Sequence, residues 1–299
     1  MHDQRREGRW IVVGVDGSSA AEGAVRWAAL LAPLLHADVA VVHALGLVGR
    51  LDGELVPAHA HRDEISAVVS REWCAPLVEA GVRHRVRLRE QAAVDAVLAE
   101  IDELQPILVV VGTRGTGMTS AQSIGSTALR LLREATAPVI VVPDAPHRVP
   151  GALRRILLGV DGTAPALAAV DWSAELARRT GASCEVLTAG AWSSDAVTTR
   201  HLGHEIEAWS TPFRWAQVPL RTTVCGGDPA EELVRRAHEI DADLVVLGAS
   251  GRGPAGDPLA GSVSRRVARE AGCAVAVVRE GARLTRALGP VEPAAPVGG

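Results

Sequence analysis

Short runs of branched aliphatic residues alternate along this chain with longer stretches in which apolar positions recur at three- and four-residue spacing. The runs Ile11 to Val15, Val39 to His43, Val82 to Leu88, Ile107 to Val111 and Val139 to Val142 predict strands. Between them, Ala20 to Leu35, His61 to Ala80, Ala92 to Leu104 and Ser123 to Ala135 carry the helical period, each with an apolar stripe that has to lie on something. Strands apolar at consecutive positions and separated by helices predict a parallel sheet covered on both sides.

The pattern then repeats. "IVVGVDGSSAAEGAVRWAALLA", Ile11 to Ala32, returns as "ILLGVDGTAPALAAVDWSAELA", Ile156 to Ala177, and the glycine-rich "VVGTRGTGMTSAQSIGSTALR", Val110 to Arg130, returns as "VLGASGRGPAGDPLAGSVSRR", Val246 to Arg266. The first match lies at an offset of 145 positions and the second at 136, so the second copy has lost about nine residues in its middle. A unit this long is a duplicated domain, far beyond the length of a solenoid repeat. The second copy predicts strands at Ile156 to Val160, Glu185 to Thr188, Val218 to Val224, Leu244 to Leu247 and Ala274 to Val278. Its second helix is expected to be short, about Thr199 to Trp209, with the deletion at the "STPFRW" that follows. Domains are expected over 9–144 and 154–280, with a linker over 145–153 and a Pro-, Gly- and Ala-rich tail over 281–299 that has little to bury and is expected to be disordered.

Composition narrows the function classes. The formal charge is −4 with a pI near 6.2, and all 31 cationic side chains are arginine, so no basic footprint for nucleic acid is present. Cys74, Cys184, Cys225 and Cys273 form no CxxC pair and read as free, buried thiols. The polar "MHDQRREGRW" does not read as a signal peptide, and no apolar run approaches the roughly 20 residues of a membrane helix. A cytoplasmic location is expected.

The glycine stretch holds the candidate chemistry. It follows the fourth strand, at the carboxyl edge of the sheet where ligands of open parallel sheets bind. Gly112, Gly115 and Gly117 would permit positive φ and close approach of a ligand to the backbone, while Gly125, Ser126 and Thr127 open a helix whose unpaired amides make an anion site. An ordinary glycine loop with a capping serine is the competing reading, and duplication would copy a neutral loop too. Asp16 and Asp161 each end a first strand and point at the same crevice; a ribose contact and a cap on the following turn are equally compatible with the DGS and DGT patterns. Trp27 and Trp172 recur on the apolar face of the first helix and read as core; His43, whose counterpart is Thr188, reads as structural. A Walker loop needs a lysine, a GxGxxG would follow the first strand, and a dehalogenase-type DxDGT lacks its first Asp because Gly159 stands there.

The spacing G-x-x-G-x9-G-[ST], the Asp ending the first strand, and the closing "ATAPVIVVP" and "AGCAVAVV" resemble the universal stress protein family over both copies. The resemblance implies two tandem α/β domains, each a five-stranded parallel sheet in the order 3-2-1-4-5, with ATP and Mg²⁺ bound at the strand ends. By position it assigns Asp16 and Gly112 to the ribose, Gly115, Gly125, Ser126 and Thr127 to the phosphates, and the backbone near Ala44 to the adenine. The counterparts are Asp161, Gly248, Gly251, Gly261, Ser262, Val263 and Ala189. It further implies pairing of the two fifth strands within the chain, and it leaves room for a homodimer and for a regulatory protein partner.

Both copies depart from the family pattern. The first has "REQAAVDAV" where a Gly-x-Pro usually follows the third strand, and the second carries Asp257 and Pro258 in its nine-residue loop, where Asp257 would repel a triphosphate unless a metal intervenes. The expected function is ATP binding in a stress-response regulator, one nucleotide per domain, with at most slow hydrolysis because no residue stands out as a base. The alternatives are a nucleotide-dependent enzyme of pyrophosphatase or adenylyltransferase type, whose HxGH or SGGxDS signatures "GVDGSS" does not match, and a nucleotide-free interaction scaffold.

Overall fold

The computed structural model describes residues 9–46, 48–51, 54–57, 62–116, 124–144, 151–190, 196–249, 261–282 and 284. Gly117, Gly251, Asp257 and Pro258 lie outside the described residues, as do residues 145–150 of the expected linker and residues 283 and 285–299 of the expected tail.

The first copy folds as β1 (Trp10–Gly14), α1 (Ser19–Leu35), β2 (Asp38–Ala44), a small hairpin of β3 (Val48–Leu51) and β4 (Glu54–Pro57), α2 (Arg62–Val68), a π-helical turn over Val69–Trp73, α3 (Ala75–Glu79), β5 (His84–Arg89), α4 (Ala93–Leu104), β6 (Leu108–Gly112), α5 (Ser126–Glu134) and β7 (Val139–Val142). The second gives β8 (Arg155–Gly159), α6 (Ala164–Thr180), β9 (Ser183–Ala189), α7 (Ala196–Trp215), β10 (Leu220–Cys225), α8 (Pro229–Glu239), β11 (Leu244–Gly248), α9 (Ser262–Glu270) and β12 (Ala274–Val278).

In each copy the large sheet runs third, second, first, fourth, fifth strand, all parallel. The fifth strands then meet. β7 and β12 pair antiparallel through Val139 with Val277, Ile140 with Ala276, and Val141 with Val275, so a ten-stranded sheet runs through both copies. These strands are buried on both faces, which is why they read as continuous aliphatic runs. The outermost strands β5 and β10 carry polar residues, alternating in β5 as Arg85, Arg87 and Arg89 and consecutive in β10 as Arg221, Thr222 and Thr223. One hydrophobic core lies under α1, α3, α6 and α7 and another under α4, α5, α8 and α9, and each draws on both copies. Trp27 and Trp172 are both core residues, at 1 % exposure.

Two expectations are corrected. The second helix of the second copy spans Ala196–Trp215, through Pro212, so "STPFRW" is helical and not the site of the deletion. The missing residues fall earlier. Seventeen residues separate β2 from α2 and include the β3–β4 hairpin, whereas six separate β9 from α7. Ser210 and Thr211 return hydroxyl bonds to the carbonyls of Ile206 and Glu207, at 2.7 and 2.9 Å, just before the proline. Beyond Arg279 the chain is still anchored at Leu284, which is buried and whose carbonyl accepts from the Arg9 guanidinium.

Candidate functional site

β1 delivers the chain to Asp16 and then turns at Gly17, where φ is +81°. The turn is held by the carboxylate it contains. Asp16 Oδ1 accepts from the Ser18 amide at 3.0 Å and the Ser18 hydroxyl at 2.6 Å, and Ser18 Oγ in turn accepts from the Ala21 amide at 3.2 Å as the cap of α1. Asp16 Oδ2 accepts from the amide of Thr116 at 3.0 Å. The carboxylate therefore caps the turn and at the same time fastens the glycine stretch after β6 to the end of β1, while its ring of donors leaves it at the cavity wall.

The glycines answer to close packing and not to left-handed backbone, which corrects the expectation of positive φ at 112 and 115. A β-carbon at Gly112 would lie 2.7 Å from Ala20 Cβ and 2.8 Å from the Ala20 carbonyl carbon, so β6 and the start of α1 can approach only with glycine there. One at Gly115 would lie 2.3 Å from Asp16 Oδ2. Gly248 repeats the first arrangement against Pro165 and Ala166.

Gly125 caps α5 in an extended conformation without a side-chain hydrogen bond, and the Leu129 amide makes the first bond back to its carbonyl. The amides of Ser126, Thr127 and Ala128 thus belong to the unpaired first turn, with the partial positive charge of a helix start. Arg114 stands at the same end, paired at 3.1 Å with Asp144, which also accepts from Ser19 Oγ.

These parts surround one cavity of about 330 Å³. Its walls contain every site residue expected in the first copy: Asp16, Ala44, Gly112, Gly115, Gly125, Ser126 and Thr127. Val42, Ala93, Val97 and Val111 add an apolar wall opposite the polar helix start. The sequence reading passed over Ala93 and Val97, whose four-residue spacing on α4 was the available signal, and over Ser18, whose place two residues after Asp16 is the usual one for this turn.

In the second copy Asp161, Ala189, Gly248 and Val263 line a cavity of about 120 Å³. Asp161 Oδ1 accepts from the Thr163 amide at 3.1 Å and hydroxyl at 2.6 Å, as its counterpart does. Gly261 caps α9 and Ser262 begins it, but neither is on the cavity wall. His43 holds the Val15 carbonyl through Nδ1 at 2.8 Å and meets the edge of Trp73, which covers Gly17. No group of three or more His, Cys, Asp or Glu side chains that could hold a metal occurs among the described residues, and no described helix is long and apolar enough to cross a membrane.

The profile of the Universal stress protein family matches residues 9–143 and again 152–279. A universal stress protein of Mycobacterium tuberculosis is 30% identical over 300 residues, covering 90% of this chain and 96% of that protein; one of Mycolicibacterium smegmatis is 29% identical with the same coverage. Among solved structures, a universal stress protein from Archaeoglobus fulgidus superimposes with a TM-score of 0.71 at 18% identity, over 91% of this chain and 98% of its own, which shows the shared fold. With a duplicated 3-2-1-4-5 sheet and a family match over both halves, the chain belongs to the universal stress protein family as a tandem two-domain member.

Proposed function

We propose that the first domain binds an adenine nucleotide, ATP with Mg²⁺, and that the protein acts as a cytoplasmic nucleotide-responsive regulator in stress physiology. The observation that carries this reading is that a single cavity, of the size small-molecule sites have, gathers a polar helix start, a strand-end carboxylate and an apolar wall. The apolar wall of Val42, Ala44, Val97 and Val111 suits a base. On this reading Asp16 would accept from the ribose hydroxyls, and the amides and hydroxyls of Ser126 and Thr127 would receive the phosphates. Mg²⁺ would arrive on the triphosphate, since Asp16 is the one carboxylate among the lining residues.

Binding is favoured over turnover. A general base for water would have to be a carboxylate or imidazole with a free lone pair beside the phosphates. Asp16, the candidate by type, stands at the end of β1 between Ser18 and Thr116, and on this reading it faces the ribose and not the phosphates.

The test is to denature freshly purified protein, identify the released nucleotide by chromatography and mass spectrometry, and titrate stripped protein with ATP and Mg²⁺, with AMP and cyclic AMP as competitors. Gly125→Asp places a carboxylate at the phosphate position and should abolish binding in the first domain while leaving the fold intact. Unchanged affinity in that variant would sink the assignment, and ADP released from protein loaded with ATP would move the reading to an enzyme.

A further inference from the structure

Each residue on the wall of the second cavity is the counterpart of a residue on the wall of the first, so the two can be compared position by position. The strand-end frame is kept: Gly14 matches Gly159, Asp16 matches Asp161, Ala44 matches Ala189, and Gly112 matches Gly248. The apolar wall is not kept. Val42 becomes Leu187, Val97 becomes Leu233, Val111 becomes Leu247, and Ala93 becomes Pro229. Every one of these changes adds carbon, and all four residues line the second cavity as their counterparts line the first.

The longer side chains come closer to the strand glycine at the cavity floor. A β-carbon built at Gly14 would meet Val111 Cγ1 at 3.2 Å and Val97 Cγ2 at 3.3 Å. At Gly159 it would meet Leu247 Cδ2 at 2.6 Å and both Leu233 methyls at 3.1 and 3.2 Å. Leu187, Leu233 and Leu247 are buried, so they cannot swing out to water without losing their packing. The cavity that these side chains line is about 120 Å³, and among the described residues its walls carry no counterpart of Thr113, Gly125 or Ser126. The phosphate end has changed as well, with Val263 in place of the Thr127 hydroxyl.

We propose that the nucleotide cavity of the second domain is closed by Leu187, Leu233, Leu247 and Pro229, so that the chain carries one nucleotide and not two. This inference rests on the reading of the first cavity as an adenine-nucleotide site. The second domain then serves the first as a fixed partner whose own site is filled with side chains.

The experiment is calorimetric titration of the stripped full-length chain with ATP and Mg²⁺, on three proteins. The native chain is expected to bind one equivalent, and Gly125→Asp to bind none. Two equivalents in the native chain, or one remaining in Gly125→Asp, would overturn the closure. The third protein carries Val42→Leu, Val97→Leu, Val111→Leu and Ala93→Pro, the side chains that the second domain already folds with. Its affinity is expected to fall on the order of 100-fold or more, because each methylene in a tight apolar pocket counts. Unchanged affinity there would also overturn the proposal.

The reverse set, Leu187→Val, Leu233→Val, Leu247→Val and Pro229→Ala in the Gly125→Asp chain, is expected to gain a site, and Leu247→Val alone is the smaller variant should the set unfold. A native chain that binds nothing, with a reverse-set chain that binds, would sink the reading of the first domain and keep the closure. No binding by either would sink both.

Discussion

Gly115 and Asp16 are in contact across the mouth of the first cavity: a single added carbon on the glycine would sit 2.3 Å from the carboxylate oxygen that holds the Thr116 amide. Gly115→Ala should therefore displace the carboxylate and free the glycine stretch, raising the Kd for ATP about tenfold, the worth of one hydrogen bond. Gly112→Ala is a different lesion, because its neighbour is backbone of α1 that cannot give way. It should lower stability by about 1–3 kcal/mol. Thermal melts and ATP titrations of the two variants separate these outcomes; equal stability losses would refute the distinction.

Glu100 and Arg236 stand at matching positions of α4 and α8 with opposite charge. Glu100 Oε1 receives Arg87 and Arg89 at 2.8 and 2.7 Å, whereas Arg236 gives bonds of 2.7 and 2.9 Å to Glu185 on β9, which also accepts from Thr223 at 2.7 Å. Burial alone would raise the Glu185 carboxyl, but the bonds from Arg236 and Thr223 outweigh it and hold it below the ordinary 4.5. Its contribution is present above that value and is lost as acid protonates it. Arg236→Met should cost about 3 kcal/mol by stranding a buried carboxylate, and adding Glu185→Leu should recover most of it. Urea denaturation at neutral pH measures both, and a double variant as unstable as the single would refute the pairing.

Burial pushes the Cys74 thiol up to about 11 and the Cys184 thiol up to about 12, from an ordinary 9.0. A raised thiol favours the neutral, folded form, so this stabilisation is complete below pH 9 and is lost as pH rises through the folded values. Cys184→Ala should lessen the alkaline fall in stability between pH 7.5 and 10.5 by about 1–2 kcal/mol. Parallel denaturation curves for native and variant protein across that range would show that Cys184 plays no part.

Val277 faces Val139 in the antiparallel ladder between the domains, and its backbone is turned toward β7 because that of its neighbour Val278 is turned toward β11. Val277→Pro removes a ladder donor and should destabilise the join by about 2 kcal/mol. Two melting transitions and a larger radius of gyration in solution scattering are the expected signs. One transition at the native temperature would mean that the ladder contributes nothing.

Periodicity and duplication made the ten-strand framework legible because buried parallel strands have no polar face to blur the signal. The second helix of the second copy was misjudged because Pro212 and the hydroxyls before it read as a helix end, whereas Phe213 beyond them is fully buried and draws the helix on. The site residues of the first copy were legible from spacing, but the reason for the glycines was not. Gly112 owes its place to Ala20, some ninety residues earlier, and such a contact leaves no local trace. The three Val-to-Leu changes of the second cavity kept the apolar pattern intact and so passed unseen by any reading that sorts residues only into apolar and polar.

The β7–β12 ladder has a consequence for how the halves can differ. Two separate domains that met through like edges would part on dilution, whereas a tether fixes the local concentration of each edge for the other. The same two edges always meet, so neither has to suit a copy of itself. Arg279, just past β12, can reach across to the Leu132 carbonyl at 2.9 Å at the end of α5, while its counterpart just past β7 is Pro143, which has no such donor. Covalent fusion thus frees each half from self-complementarity, and a lopsided molecule can rest on a nearly two-fold frame.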